Sequence, residues 1–228
     1  MNKLFDPRVA NPSFITPVDT RIEAYQQQLA QIRDEPVLLQ MEALAQAQGF
    51  PIVGRLVGLF LEVMAKSIGA RRIFEFGSGY GYSAYWFARA AGERGRVICS
   101  DADPKNAAQA EEFLAQAGLW ERVDFRVGIA QECFHATSGE FDICYNDVDK
   151  DQYPEVWQLA RGRIRRGGLY ICDNVLWHGR VVATEPVPDI KPGWTEAIRE
   201  HNRMIFDDPD FDCFINPTRD GVLVARRK

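Results

Sequence analysis

The hydrophobic pattern changes its period repeatedly along the chain. From about residue 72, short apolar runs typical of buried strands alternate with segments in which apolar residues recur at helical spacing. The predicted strands cover residues 73–76, 96–100, 123–127, 141–146, 168–172, 211–215 and 222–226. The predicted helices that follow strands cover residues 82–91, 104–117, 130–137, 153–164 and 194–206. Strands joined by helical crossovers predict an α/β fold with a doubly wound, mostly parallel seven-stranded sheet, to which the last two strands add an antiparallel hairpin.

The first 70 residues show a different pattern. Residues 1 to about 20 contain prolines and are predicted to form an irregular arm, and helical spacing follows at residues 21–33, 37–48 and 55–69. The second of these helices carries an apolar stripe made of Leu38, Leu39, Met41, Leu44 and Ala45. This stripe either packs back on the sheet or covers a partner chain. Since 46% of the 228 residues are hydrophobic, the chain suits one sizeable core, and residues 1–50 are assigned to the same domain as residues 51–228.

Composition and charge argue against several classes of protein. The formal net charge is -5, with 27 Lys and Arg against 32 Asp and Glu, which disfavours general binding to nucleic acid. The most apolar stretch, residues 52–70, is interrupted by Arg55, Glu62 and Lys66, so no transmembrane helix is predicted. The start of the chain lacks the apolar run of a secretory signal, and the five cysteines are unclustered. We therefore expect a cytoplasmic protein with reduced thiols.

A glycine-rich turn follows the first predicted strand. Gly77, Gly79 and Gly81 form a G-x-G-x-G pattern that opens a helix, where backbone amides approach a ligand. A nicotinamide or flavin site would require Gly or Ala where this chain has Tyr82, and the preceding Glu75 would repel a pyrophosphate but attract a cation. The sign of that charge favours S-adenosylmethionine, a sulfonium cofactor. The turn could also be an ordinary connection between a strand and a helix.

Asp101 follows the second predicted strand, 26 residues beyond Glu75. An acid at this place suits hydrogen bonds to the two ribose hydroxyls of a cofactor. Alternatively, its carboxylate caps the helix that starts near Pro104.

Polar side chains also follow the fourth and fifth strands. Asp147 comes after the fourth strand, and Asp173 with Asn174 after the fifth, so three oxygen atoms can converge at neighbouring strand ends. Such a set suits a hard octahedral cation such as Mg²⁺. Taken one at a time, Asp147 could cap a helix and the Asp-Asn pair could form an Asx-turn. Lys150 begins the next helix, where it either leans toward the same cleft or is a solvated surface lysine.

These motifs resemble those of the cation-dependent class I O-methyltransferases, the family of catechol and caffeoyl-coenzyme A O-methyltransferases. The matching stretches are GLFL at 58–61, FEFGSGYGYSA at 74–84, SDADP at 100–104, VDFRVGIAQE at 123–132, DVDKDQY at 147–153 and DNVLWHGRVV at 173–182. The resemblance implies a Rossmann-like methyltransferase fold, S-adenosylmethionine as cofactor, and Mg²⁺ or another divalent cation such as Mn²⁺ or Ca²⁺. The cofactor residues that it implies are Glu75, Gly77, Gly79, Ser83, Asp101, Ala130 and Asp147. The metal ligands that it implies are Asp147, Asp173 and Asn174, with Lys150 as the candidate catalytic base.

Two positions depart from the family pattern. Asn146 stands where the family usually has an apolar residue, and Asp149 offers a second register for the first metal ligand. We keep Asp147 because it, and not Asp149, stands three residues before Lys150.

The resemblance also implies a reaction and partners. We expect transfer of the methyl group to a hydroxyl of a small aromatic substrate that carries two vicinal hydroxyls, by a homodimeric enzyme. Methylation of a hydroxylated uridine in tRNA is an alternative, for which the best basic cluster is Arg161, Arg163, Arg165 and Arg166. A third possibility is a protein that binds S-adenosylmethionine without catalysis.

Overall fold

The computed structural model describes residues 19–31, 35–183 and 191–228. The helices before the sheet are α1 (Thr20–Ala30), α2 (Pro36–Gln48) and α3 (Gly54–Ser67). The chain then forms β1 (Arg72–Phe76), α4 (Tyr82–Ala91), β2 (Arg96–Asp101), α5 (Pro104–Gln116), β3 (Val123–Val127), α6 (Ala130–His135) and β4 (Phe141–Asn146). It continues with α7 (Tyr153–Arg161), β5 (Ile164–Cys172), α8 (Trp194–Phe206), β6 (Phe211–Asn216) and β7 (Val222–Arg227).

The strands form one sheet in the order β3-β2-β1-β4-β5-β7-β6. The strands from β3 to β5 are parallel, and β7 pairs antiparallel with both β5 and β6. The predicted α/β fold, with its mostly parallel sheet and C-terminal antiparallel hairpin, is confirmed. Because the strand order reverses between β1 and β4, the connections after these two strands run to opposite faces and leave a crevice at their carboxyl ends.

Alternation along the strands gives the sheet two separate cores. In β1, Ile73 belongs to the core that helices α2 to α5 cover, whereas Phe74 and Phe76 belong to the core under α6, α7 and α8. In the second core, the ring of Phe74 lies 4.9 Å from that of Phe134 in an edge-to-face arrangement. Strands that are apolar on both faces are expected of a parallel sheet covered by helices on each side.

Strand β5 begins earlier than the hydrophobic pattern predicts. It begins at Ile164 instead of residue 168, and α7 ends at Arg161 instead of residue 164. The pairing of β4 with β5 shifts its register between Phe141 and Ile143, so that residues 165–168 oppose a single residue of β4. A bulge breaks the alternation of apolar and polar positions, and the pattern therefore did not reveal this part of the strand.

Some predicted segments differ at their ends or lie outside the described residues. In the loop after β5, Trp177–Val182 forms a short 3₁₀ segment with left-handed backbone at His178 and Gly179. Residues 1–18 of the predicted arm, and Pro186 and Pro188 of that loop, lie outside the described residues. Helix α1 ends at Ala30, and the end predicted at residue 33 falls in residues 32–34, which are also outside.

The apolar stripe of α2 packs against the protein's own core. Leu38 and Met41 are fully buried and Ala45 is nearly so, whereas Leu39 is 45% exposed. The hydroxyl of Tyr80, in the glycine loop, donates a hydrogen bond to the carbonyl oxygen of Met41 at 2.9 Å. Of the two alternatives for this stripe, packing on the same chain is the one that the structure shows. The homodimer stays a prediction that this stripe does not support.

The charged residues that interrupt the apolar stretch 52–70 are paired. Arg55 Nη2 lies 2.7 Å from Glu42 Oε2 of α2, and Lys66 Nζ lies 2.5 Å from Glu62 Oε1 within α3. Helix α3 thus places its apolar residues on the sheet while its charges have partners. Within the described ranges, no helix combines the length and the apolar character that crossing a bilayer requires.

Candidate active site

A cavity of about 670 Å³ opens at the carboxyl ends of β1, β2, β4 and β5, beside the point where the strand order reverses. Its wall brings together residues that are far apart in the sequence. They include the glycine loop with Gly77 and Gly79, Ser83, Asp101, Ala130, Asp147, Lys150, Asp173, Asn174, Trp177, His178, Trp194 and Arg219. Every residue that the sequence analysis selected for the site lies in this wall, except Glu75.

The glycine loop has no room for a side chain at two positions. Gly77 has a φ of 79°, and a Cβ there would stand 2.7 Å from the carbonyl oxygen of Asp147. Gly79 has a φ of 49°, and its Cβ would stand 2.9 Å from the ring of Phe50. The left-handed backbone and the close neighbours both require glycine. The loop therefore lies directly against the end of β4, and the predicted cofactor and metal residues share one cavity.

Asp101 is oriented by three hydrogen bonds. Its Oδ2 accepts from Gly79 N at 3.0 Å, and its Oδ1 accepts from Asp103 N and from Asn106 Nδ2, each at 2.9 Å. The cap of helix α5 is Asp103, whose side chain accepts from Lys105 N at 2.9 Å, so the alternative that Asp101 caps this helix is wrong. A carboxylate has about four acceptor positions, which leaves one on Oδ2 for a ligand.

Glu75 lies behind the cavity wall. Its side chain is fully buried, and Oε1 accepts a hydrogen bond from the hydroxyl of Ser83, which itself lines the cavity. The thiol of Cys99 lies 3.4 Å from Oε2. Burial raises the pKa of Glu75 to about 7, against the opposing effect of these hydrogen bonds. Ser83 thus connects Glu75 to the cavity, and a cation bound there would favour the charged form of this carboxylate.

Lys150 connects the polar groups that follow β4 and β5. The side chain is almost completely buried, with 8% of the residue exposed. Its Nζ donates to Asp147 Oδ1 at 3.1 Å, to Asn174 Oδ1 at 2.9 Å and to the hydroxyl of Tyr153 at 2.7 Å. The structure therefore shows Lys150 directed into the cavity and not, as in the other alternative, solvated at the surface.

Asp173 has an unsatisfied oxygen beside this cluster. The residue is 2% exposed, and its Oδ1 has no hydrogen-bond partner. Burial, and then the nearby charge of Asp147, raise the pKa of Asp173 to about 7. Burial also raises the pKa of Asp147, while the charge of Lys150 opposes that rise. Two neighbouring carboxylates whose charges repel each other are stabilised by a shared cation.

The oxygen atoms at this end of the cavity fit a divalent cation. The donor set consists of two carboxylates and one amide oxygen, which are ligands that Mg²⁺ prefers. In the part of the chain that the structure describes, no group of three or more His, Cys, Asp and Glu side chains is placed to hold a metal. The amide of Asn174 is therefore needed to complete the set. Its backbone has a φ of 56°, a conformation that asparagine tolerates better than most residues.

The two positions that depart from the family pattern have separate roles in the structure. The side chain of Asp149 is 55% exposed and pairs with Lys191 at 3.2 Å, so this carboxylate is engaged near the surface. Asn146 is fully buried, and its Nδ2 donates to the hydroxyl of Tyr170 at 3.0 Å. The geometry therefore favours Asp147 over Asp149 as the acid of the cluster.

Sequence reasoning missed four residues of the site. Tyr153 stands three residues after Lys150, a spacing that brings side chains together on a helix and could have revealed it. Asp220 accepts a hydrogen bond from the backbone N of His178, and the ring of Trp194 lies 5.6 Å from that of Trp177. The fourth is Arg219. Nothing in the local sequence indicates Asp220, Trp194 or Arg219, because only the tertiary fold brings these later residues against the loop after β5.

The arginine side chains of the cluster proposed for tRNA binding are engaged in ion pairs and hydrogen bonds within the protein. Arg161 pairs with Asp208 at 2.6 Å and Arg165 with Asp142 at 2.5 Å. Arg163 donates to the carbonyl oxygen of Phe134 at 2.9 Å and to others nearby, and Arg166 donates to the carbonyl oxygen of Lys228 at 3.1 Å. These contacts give the cluster a structural role, and nothing in its geometry favours nucleic acid.

Comparison with known proteins points to one family. A sequence model of the family described as O-methyltransferase matches residues 26–228. The chain is 36% identical to a catechol O-methyltransferase from Niastella koreensis over 193 residues, which is 81% of this chain and 84% of that protein. It is 30% identical to caffeoyl-CoA O-methyltransferase 1 from Eucalyptus globulus over 177 residues, with 75% and 72% of the two chains covered.

A solved structure shows the same architecture with a ligand bound. The O-methyltransferase TomG from Streptomyces achromogenes, determined in complex with S-adenosylmethionine, superposes with a TM-score of 0.80. The two sequences are 26% identical, and the match covers 91% of this chain and 96% of TomG.

Replacing Glu75 with Gln should change how the stability of the protein depends on pH. The folded protein keeps a proton on Glu75 up to about pH 7, whereas a glutamate in the unfolded chain releases it near 4.5. The free energy of unfolding of the wild type therefore falls as the pH rises through this window, by up to about 3 kcal/mol from this group. Glu75→Gln lacks this contribution, so its stability relative to the wild type should increase with pH.

Urea unfolding at pH 5, 6, 7 and 8 measures this difference. Glu112→Gln, on the exposed face of α5, is the matched control and should give a curve parallel to that of the wild type. A constant offset between Glu75→Gln and the wild type at all four pH values would contradict the assignment.

Proposed function

Because the chain belongs to the O-methyltransferase family, we propose that it transfers the methyl group of S-adenosylmethionine to a hydroxyl of a small catechol-like aromatic, with a divalent cation beside the acceptor. The observation that carries this proposal is the cluster of Asp147, Asp173, Asn174 and Lys150 in the same cavity as the glycine loop and Asp101. The names of the relatives, catechol and caffeoyl-CoA O-methyltransferases, support an aromatic acceptor with vicinal hydroxyls.

The cofactor is proposed to bind between the glycine loop and Asp101. The open acceptor position on Asp101 Oδ2 suits a ribose hydroxyl, since a hydrogen bond to a carboxylate is stronger than one to a neutral group. Gly77 and Gly79 let the backbone approach the ligand, and Ala130, at the start of helix α6, lines the same cavity. The buried Glu75, acting through Ser83, favours a cationic ligand over a pyrophosphate at this place.

The acceptor is proposed to bind at the other end of the cavity, at Asp147, Asp173 and Asn174. A divalent cation held by these oxygens would supply a positive charge that lowers the pKa of an acceptor hydroxyl. The two carboxylates would balance that charge, and the unsatisfied Oδ1 of Asp173 would gain a partner. Trp177 and His178 follow directly in the wall and offer flat surfaces to an aromatic ring.

Lys150 is proposed to take the proton of the acceptor hydroxyl, as the neutral amine that is left once its ammonium has released one proton to solvent. Its Nζ is within 3.1 Å of both Asp147 Oδ1 and Asn174 Oδ1, so a hydroxyl placed at these oxygens is within its reach. The new carbon–oxygen bond forms as the carbon–sulfur bond of the sulfonium breaks, and S-adenosylhomocysteine leaves. Holding both reactants in line supplies much of the acceleration, and no covalent enzyme intermediate is required.

Removal of divalent cations tests the proposed function most directly. EDTA should abolish methyl transfer to catechol and leave the affinity for S-adenosylmethionine unchanged, because the cation contacts the acceptor. Asp173→Ala should act in the same way, whereas Asp151→Ala, an exposed aspartate of the same motif, should keep full activity. Product formation by chromatography and cofactor titration by calorimetry measure the two properties. Full activity of a verified metal-free enzyme would overturn the metal requirement.

Lys150→Met tests the proton acceptor while keeping an unbranched side chain in the buried position. Turnover should fall by roughly 100- to 10,000-fold, and the remaining activity should rise with pH as solvent takes the proton. Cofactor affinity should stay near that of the wild type, whereas the thermal midpoint should fall, because Asp147, Asn174 and Tyr153 lose their shared partner. Lys105→Met, an exposed lysine of α5, is the control. Normal turnover in Lys150→Met would remove this residue from catalysis and leave the metal proposal standing.

The pair Asp101→Asn and Asp103→Asn tests the cofactor site. Loss of the charge at Asp101 weakens a hydrogen bond that is worth about 1.5–3 kcal/mol, so the affinity for S-adenosylmethionine should fall by roughly tenfold to a hundredfold. Asp103 lies outside the cavity wall and caps α5, and asparagine caps helices about as well, so its replacement should leave both cofactor affinity and stability near the wild-type values. Equal affinities in the two variants would show that Asp101 does not contact the cofactor.

A further inference from the structure

Arg219 adopts a backbone conformation that arginine rarely adopts. Its φ is 52°, in the left-handed region, where a Cβ is crowded by the backbone and glycine is free of that strain. Within the described ranges, the other non-glycine residues with positive φ are Asn174, which is a proposed metal ligand, and Trp177 and His178, which follow it in the same loop. Strain of this kind persists at sites where the side chain is needed. The side chain of Arg219 therefore calls for a functional explanation.

The turn that carries Arg219 is held rigidly against that loop. Leu176 N donates to the carbonyl oxygen of Asp220 at 2.9 Å, and Val175 N donates to that of Gly221 at 3.1 Å. The backbone N of His178 donates to the side chain of Asp220. The backbone that follows Arg219 is therefore hydrogen-bonded to the segment that begins at Asn174. These bonds hold the Cα of Arg219 next to that segment.

The guanidinium is oriented by protein contacts but its charge is not paired. Nη1 donates to the carbonyl oxygens of Ile52, at 3.2 Å, and Val53. In the part of the chain that the structure describes, Nε and Nη2 have no hydrogen-bond partner and no carboxylate lies within ion-pair distance. Arg55 and Arg165, in contrast, each contact a carboxylate. Arg219 thus presents an anchored, half-buried positive charge to the cavity.

The charge of Arg219 lies at the acceptor end of the cavity. Its side chain lines the cavity together with Asp173 and Asn174, and its turn is hydrogen-bonded to the segment that follows these two residues. The cofactor end is marked instead by Asp101 and the glycine loop. A cation placed next to the acceptor attracts an anionic group on that acceptor and disfavours a cationic one.

We propose that Arg219 selects an acceptor that carries an anionic substituent, so that the substrate is a dihydroxy aromatic acid. This inference rests on the proposed function, and it names the class of acceptor within it. The carboxylate of the substrate pairs with the free edge of the guanidinium, and its two hydroxyls lie at Asp147, Asp173 and Asn174. Arg219 is a specificity-determining residue, and it takes no part in the transfer of the methyl group or the proton.

Two other roles for Arg219 lead to different results. If it only clamps the segment at Ile52 and Val53 to the turn, its loss affects all acceptors equally. If it binds the carboxylate of S-adenosylmethionine, its loss weakens the cofactor. The test therefore separates acceptor charge, cofactor affinity and stability.

The experiment compares Arg219→Gln and Arg219→Lys with the wild type on catechol, 3,4-dihydroxybenzoate and dopamine. The wild type should prefer the benzoate to dopamine. In Arg219→Gln, the KM for the benzoate should rise by about tenfold to a hundredfold, while kcat, the KM for catechol and the Kd for S-adenosylmethionine stay close to the wild-type values. Arg219→Lys keeps the charge and should therefore retain part of the preference for the benzoate over dopamine that Arg219→Gln loses. Arg94→Gln, an exposed arginine outside the cavity, is the control.

Equal rises of KM for all three acceptors, or a matching rise in the Kd for the cofactor, would overturn the proposal. If the wild type methylates none of the acceptors, the proposed function fails. Calorimetric measurement of acceptor binding then still tests whether Arg219 selects an anionic acceptor. In that case the wild type with S-adenosylhomocysteine and Mg²⁺ should bind the benzoate more tightly than catechol, and Arg219→Gln should lose this difference. Equal binding of the two compounds by the wild type would then refute the role of Arg219.

Discussion

The buried ammonium of Lys150 is the interaction on which the rest of the site depends. A charge with so little contact to water is destabilising by several kcal/mol unless hydrogen bonds and opposite charges surround it. Lys150 obtains them from Asp147 after β4, from Asn174 after β5 and from Tyr153 at the start of α7. The hydroxyl of Tyr153 in turn donates to the carbonyl oxygen of Asp173 at 2.9 Å. The need to solvate one cation thus holds three elements together at one end of the cavity.

The two halves of the cavity meet where the glycine loop touches the end of β4. Since a side chain at Gly77 would collide with the carbonyl oxygen of Asp147, the absence of a Cβ sets how closely the loop approaches. Asp147 N also donates to the carbonyl oxygen of Phe76 at 2.9 Å, which continues the pairing of β1 with β4 beyond the strands. Short distances between a methyl donor and an acceptor are required for transfer. The topology of the sheet supplies this closeness, because β1 and β4 are neighbours at the reversal of strand order.

An uncharged hydrogen-bond network of Asn146, Tyr170 and His201 lies next to the same strand ends. The hydroxyl of Tyr170 accepts a hydrogen bond from the side-chain amide of Asn146 and lies 2.9 Å from His201 Nε2. Burial lowers the pKa of His201 to about 4, so its imidazole is uncharged at neutral pH. The network satisfies buried polar atoms without adding a charge next to Asp147 and Asp173. This explains how the chain accommodates Asn146 at a place where the family usually has an apolar residue.

Much of the fold and of the candidate site could be predicted from the sequence because the relevant signals are local. Strand and helix periods depend on neighbouring residues, and a glycine turn depends on its own backbone. Asp147, Asp173 and Asn174 could be grouped because carboxyl ends of neighbouring parallel strands meet at one edge of a sheet. The bulge of residues 165–168 could not be predicted in this way, because its conformation depends on pairing with β4 and not on a repeating sequence pattern.

The sequence by itself determined the succession of strands and helices along the chain, the family and the set of polar residues at the strand ends. Only the tertiary structure decided that Glu75 stands behind Ser83, that Asp103 and not Asp101 caps α5, and that Leu38 and Met41 are covered by the same chain. The same is true of Arg219, whose side chain reaches Val53 across 166 residues of sequence. Periodicity and turn chemistry describe interactions over a few residues, whereas these features depend on which distant surfaces meet when the two cores form around the sheet.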